Sequence, residues 1–157
     1  MKQSNNINVL MKSITEEQDA IIQEFEMFDD WLDRYEYLIE LSNDLEPLDP
    51  KYKTTEYTIE GCQSRVWLVA DLLDGMVVYR AETDAIITKG IISLLIRVLS
   101  GRKPDEILDT DLYFIEKIGL RQNLSPTRSN GLLAMVKQMK LYALAFKVKN
   151  EEFRVNN

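Results

Sequence analysis

Apolar residues recur at helical spacing twice in the first third of the chain. Ile21, Ile22, Phe25 and Phe28 follow Thr15 and Gln18, a pair that reads as a capping box. Trp31, Leu32, Tyr35, Leu38, Ile39 and Leu41 make a second apolar face, and Phe28-Asp29-Asp30 is the predicted break between two helices. Pro47 and Pro50 mark a loop after Leu45. From Thr54 the texture changes to alternation. TTEYTIE (54–60), SRVWLVADLL (64–73) and MVVYRAE (76–82) are rich in β-branched and aromatic residues, and Asp74-Gly75 is a strong hairpin signal. The pattern predicts three antiparallel strands, with Gly61-Cys62-Gln63 in the first reversal and Asp74-Gly75 in the second.

Helical spacing then returns. Thr83 or Asp84 is the expected cap of a helix running to about Ser100, with Gly101 at the position after its end. Pro104, Asp105 and Glu106 open a short helix, and Asp111 to Lys117 is another short piece. Ser125-Pro126 opens the last long helix, whose predicted core face holds Leu132, Leu133, Val136, Met139, Leu141, Leu144 and Ala145. Helices, then a three-stranded antiparallel sheet, then more helices is an α+β fold. The expected organisation is one domain over 15–149, a flexible extension over 1–14 (with Met11 as an alternative start) and a flexible tail over 150–157.

Composition removes several classes of function. The 157 residues carry a formal charge of −7, which argues against non-specific nucleic-acid binding. The acid concentrates in residues 16–46, where Arg34 is the only cationic residue; a solvated helix face and a docking surface for a basic partner are both open readings. The most apolar stretch, Ile86 to Leu99, is interrupted by Thr88, Lys89, Ser93 and Arg97 and is too short to span a bilayer. The polar start does not read as a signal peptide, and a single cysteine excludes an internal disulfide framework, so the expected location is cytoplasmic. The chain has no histidine. Ser-His-Asp and Cys-His catalysis are therefore out, and one cysteine cannot supply a structural zinc site, so no metal site is expected.

The sole cysteine, Cys62, follows a glycine and precedes the polar Gln63 and Ser64. A lone cysteine is often a small buried hydrophobe. Gly61, however, permits backbone angles that a packed strand does not need. The residues alone leave a structural and a reactive thiol both open. A reactive one without histidine suits thiol or persulfide exchange, in which a thiolate attacks sulfur. Arg65 and Arg128 are the candidate cations, and only the fold could bring Arg128 close.

Four stretches in register carry a resemblance: GCQSRVWL (61–68), TDAIITKGIISLL (83–95), SGRKPDEI (100–107) and LSPTRSNGL (124–132). In order and spacing they resemble the SufE family of sulfur acceptors, from about Trp31 to Tyr142. The resemblance implies a partner of a pyridoxal-phosphate cysteine desulfurase in iron–sulfur cluster assembly. It implies that Cys62 accepts the desulfurase's persulfide sulfur, stimulates that enzyme and passes sulfur to an iron–sulfur scaffold complex. The chain would be a sulfur carrier and activator more than an independent enzyme, with no cofactor of its own, no nucleic acid and no membrane. Gly61, Gln63 and Ser64 would form the cysteine loop. Asp84 matches the second acid of the family's Asp-Ser-Asp-Ala stretch, here Glu82-Thr83-Asp84-Ala85, and Arg128 matches the arginine of its Ser-Pro-x-Arg-Ser motif. Both are expected near the cysteine loop, although Asp84 also reads as a plain helix cap. The implied fold is similar to that of IscU-type scaffolds, which build clusters on several cysteines; one cysteine favours the carrier. The alternatives are a non-catalytic adaptor with a structural cysteine, and an acceptor for a paralogous desulfurase pathway.

Overall fold

A computed structural model describes residues 12–156, with side chains described through Glu152. Most of the expected extension, including Met11, lies outside the described residues. Helix α1 (Ile14–Glu26) is capped by Ser13, whose hydroxyl accepts from the Glu16 N–H while the Glu16 carboxylate accepts from the Ser13 N–H. This reciprocal pair replaces the expected Thr15–Gln18 box. Gln18 is instead buried and reaches across to the Phe114 N–H and the Asp111 carbonyl. Asp30 caps α2 (Trp31–Leu41) through the Asp33 N–H, so the predicted break between the helices falls where Asp29 and Asp30 stand.

Among the described residues the sheet has two strands rather than the expected three. β1 (Val66–Leu73) and β2 (Met76–Thr83) pair antiparallel from Val66–Thr83 to Leu73–Met76. Asp74 and Gly75 both take positive φ, 52° and 79°, as a two-residue hairpin turn demands. The third expected strand fails because Thr55–Tyr57 closes a 3₁₀ turn, leaving a single bridge between Thr58 and Trp67. The sheet's two faces have different covers. Val66, Leu68, Val77, Tyr79 and Ala81 join the main core, while Trp67 and Val69 on the other face pack with Leu48, Tyr52 and Tyr57.

Helix α3 (Ile86–Leu99) is the centre of the molecule, with Ile87, Ile91, Ile92, Leu94, Leu95, Val98 and Leu99 buried. Burying a side chain of this size stabilises by about 1.5–3 kcal/mol, so a helix apolar on nearly all sides must be surrounded. It packs against β2, α1, α2 and the last helix. Gly90 makes the α2 crossing close: a Cβ there would lie 2.2 Å from the Leu38 carbonyl oxygen. Arg97, near the end of α3, ties down α1 by pairing with Glu17 at 2.6 Å and with Glu24, whose other partner is the Tyr37 hydroxyl. The Arg97 guanidinium holds the Glu24 carboxyl below its usual range, while burial and that carboxylate push the Tyr37 phenol up to about 12.

Short helices α4 (Pro104–Asp109), α5 (Phe114–Lys117) and α6 (Leu120–Asn123) lead to α7 (Pro126–Asn156). The proline-led start anticipated α4, and the expected short piece Asp111 to Lys117 contains α5, whereas α6 was not expected. Ser125 accepts from the Arg128 N–H as the expected cap of α7. Residues 150–156, expected as a tail, are helical. The core face of α7 is narrower than predicted: Leu132 and Met139 are buried, but Leu133, Leu141, Leu144 and Ala145 are exposed.

Candidate functional site

Cys62 lies on a loop, Glu60 to Arg65, whose base is pinned on both sides. The Ile59 N–H donates to the Val66 carbonyl at 2.8 Å, and the Thr58–Trp67 bridge adds a second tie. Six residues therefore protrude from a fixed base. Gly61 has φ 92°, a conformation that side chains with a Cβ disfavour. It also approaches α7 closely, since a Cβ there would sit 3.3 Å from the Ala134 Cβ. The loop thus connects a bridging segment to β1, and its reversal does not join two full strands.

The thiol points at α7. Cys62 is half-buried against the main core, and its Sγ lies 3.6 Å from the Gly131 carbonyl oxygen, in reach of a weak S–H donation. Burial pushes the thiol pKa up, because the thiolate is the form that loses solvation. Gly131 and Ala134 stand one turn apart on α7 and together make the shallow seat on which the loop rests. Sequence reasoning did not single them out, although two small residues at this spacing on an otherwise bulky helix were the available signal.

Space opens on both sides of the loop. A cleft of about 240 Å³ is lined by Cys62, Gln63 and Ser64, by Ala85, Thr88 and Ile91 of α3 and its approach, and by Thr127, Arg128, Gly131 and Met135 of α7. A second cleft of about 560 Å³ runs between residues 55–61 and α7, bordered by Gly61, Ala134 and Tyr142. Of the expected site residues, the first cleft brings Cys62, Gln63, Ser64 and Arg128 together. Arg128 is exposed, and its Nη1 donates to the Tyr35 hydroxyl at 2.8 Å, so α2 anchors its guanidinium at the cleft's edge. Arg65 stacks on Trp67, 6.0 Å from the ring centroid, on the outer face of the hairpin.

Asp84 departs from expectation. It is exposed and does not cap α3; the N-cap position belongs to Ala85, which has no capping side chain. Thr83 does not cap the helix either. It is buried, and its Oγ1 donates to the Arg65 carbonyl at 2.7 Å and accepts from the Ala85 N–H at 3.3 Å. Among the described residues no group of three or more Cys, His, Asp or Glu lies where it could hold a metal, and no helix is long and apolar enough to cross a membrane.

Fold and site together define a small α+β domain carrying one thiol on a short pinned loop. Residues 19–143 match the family model described as SufE, Fe-S metabolism associated domain, and the chain belongs to the SufE family. The chain is 46% identical over 120 residues to SufE-like protein 1, chloroplastic/mitochondrial, of Arabidopsis thaliana, a match covering 76% of this chain and 32% of that protein. It spans, then, about a third of that relative's length. An uncharacterized SufE-like protein of Rhizobium meliloti is 38% identical over 127 residues, covering 78% of this chain and 91% of its own. A Synechocystis counterpart is 38% identical over 128 residues, with 82% and 80% covered. The solution structure of a hypothetical protein from Thermus thermophilus superposes with a TM-score of 0.68 at 22% identity, covering 82% of this chain and 94% of that one, which establishes the shared fold.

Proposed function

We propose that this protein is a sulfur acceptor: Cys62 takes sulfur from the persulfide of a cysteine desulfurase, and the protein hands it to an iron–sulfur scaffold. The observation that carries the reading is the placement of the only thiol, at the tip of a narrow loop with a fixed base and open clefts on either side. Membership in an iron–sulfur metabolism family supplies the chemical context.

The step is a thiol–persulfide exchange. Cys62, as thiolate, attacks the outer sulfur of the donor persulfide. The bond between that sulfur and the donor cysteine breaks as the bond to Cys62 Sγ forms. The donor leaves as a thiolate, Cys62 becomes a persulfide, and the sulfane sulfur keeps its oxidation state. No external oxidant or reductant enters. The proton lost by Cys62 goes to solvent or to a base of the donor, since this chain has no histidine to receive it. Ser64, Thr88 and Thr127 give the first cleft hydroxyls that can donate to the added sulfur.

The resting geometry opposes this reaction until a partner arrives. A half-buried thiol with a raised pKa is a poor nucleophile, and it is also shielded from the oxidation to which exposed thiolates are prone. A donor that binds the loop with Cys62 turned outward shifts the population by its preference for that form. Gln63, Ser64, Asp84 and Arg128, all but Ser64 exposed, then belong to the surface the donor meets. The test is stimulation of a cysteine desulfurase by wild-type protein and by Cys62→Ser, which keeps the size of the side chain and removes the acceptor. Stimulation disappears in the variant if the reading holds; a serine variant that stimulates fully makes the protein an adaptor with a structural cysteine.

A further inference from the structure

The base of the Cys62 loop is tied on its incoming side by backbone bonds, at Ile59 and Thr58. On its outgoing side the last loop residue, Arg65, has a different anchor. Its carbonyl accepts from the Thr83 hydroxyl at 2.7 Å, and Thr83 Oγ1 in turn accepts from the Ala85 N–H at 3.3 Å. Thr83 is buried, 6% exposed, and its hydroxyl joins two different segments, donating to one and accepting from the other. Val66 and Thr83 are also paired residues at the end of the hairpin, which puts the hydroxyl beside the loop without any strain on the strand. A side chain well suited to capping a helix has been used instead to join the loop to the start of α3.

We infer that Thr83 is a positioning residue for Cys62: its hydroxyl fixes the outgoing end of the loop against α3, so that outward movement of the cysteine is confined to residues 60–64. Ala85 lines the same cleft as Cys62, and the Thr83 bond to its N–H sets that wall of the cleft too. Without the hydroxyl, Arg65 is free to follow the loop outward, the seat on Gly131 is held less often, and Cys62 meets solvent more of the time. One lost hydrogen bond of this kind shifts such an equilibrium by about fivefold.

The inference rests on the sulfur-acceptor reading only for its meaning in turnover, and its test needs no partner. The rate of iodoacetamide alkylation of Cys62 is measured in the free protein, in Thr83→Val, which keeps the shape and removes the hydroxyl, and in Thr83→Ser, which restores the hydroxyl. The valine variant is expected to react about fivefold faster and the serine variant at close to the wild-type rate. Equal rates in wild type and valine, or equal acceleration in valine and serine, overturn the inference. Amide hydrogen exchange of the wild-type protein gives a second test that survives if the valine variant does not fold. The Ala85 amide should exchange much more slowly than those of Gln63 and Ser64; exchange as fast as theirs also overturns it. Failure of Cys62→Ser to abolish stimulation would sink the acceptor reading and leave these two results untouched.

Discussion

Gly61→Ala probes how tightly the loop is held against α7. Two separate penalties meet at this residue. Its φ of 92° lies where a residue with a Cβ is strained by about 1–2 kcal/mol. The new methyl would also stand 3.3 Å from the Ala134 Cβ, inside the roughly 3.5–4.0 Å at which carbon atoms attract. Ala134 belongs to a long helix and has no flexible end to move, so the loop must give. A loss of about 1–2 kcal/mol lowers Tm by roughly 2–8 °C for a chain of this size. If the loop lifts from its seat, alkylation of Cys62 should also accelerate, by up to roughly 30-fold if the full penalty is relieved that way. Gly75→Ala is the control, because its φ is 79° with nothing within 4 Å of the added Cβ; it should show the backbone penalty without any change in thiol reactivity. Adding Ala134→Gly to Gly61→Ala removes the contact but not the strain; it should bring the alkylation rate back toward wild type, while Tm does not recover because a mid-helix glycine itself costs about 1 kcal/mol. Thermal unfolding and alkylation kinetics are the assays. A Gly61→Ala protein with Tm within about one degree of wild type and an unchanged alkylation rate would refute the reasoning.

Two further outcomes follow from the same geometry. Gly90→Ala should destabilise by roughly 1–3 kcal/mol in urea unfolding, because its Cβ would lie 2.2 Å from a backbone oxygen that cannot retreat without moving α2; a loss below ~0.5 kcal/mol would show that the crossing is loose. The alkylation rate of native Cys62 should inflect at higher pH than that of the same thiol in denaturant, since burial raises the pKa only in the folded state. The sign carries into stability: the protonated thiol's contribution is complete below the unfolded pKa and is lost as pH rises through the raised folded value. Coincident inflections in the two states would contradict the burial of Cys62.

Local chemistry made some of this fold legible. Asp74-Gly75 demanded positive φ at both positions, and Ser125-Pro126 and Gly101 could only punctuate helices, so these boundaries needed no tertiary information. TTEYTIE had the alternation of a strand, but Tyr57 packs on the outer face with Tyr52 and the segment closes a turn, joining the small cluster of Leu48, Trp67 and Val69 instead of extending the ladder. The stripe on α7 was too wide for periodicity to say which third would find a neighbour, and Leu141 and Leu144 did not. At the site, Gly-Cys-Gln-Ser announced an unusual thiol. Its seat on Gly131, the Arg128–Tyr35 pair and the Thr83–Arg65 bond all join residues well apart in sequence, and only the fold reveals them.

The central claim is that Cys62 carries sulfur. Incubation of the protein with a cysteine desulfurase and cysteine, followed by intact-mass measurement, tests it directly. The account predicts the mass of one added sulfur atom on the wild-type chain, located by peptide mapping to Cys62, removed by a thiol reductant, and missing from Cys62→Ser. A wild-type chain that gains no sulfur while the desulfurase turns over, or a serine variant that gains it equally, would contradict the account.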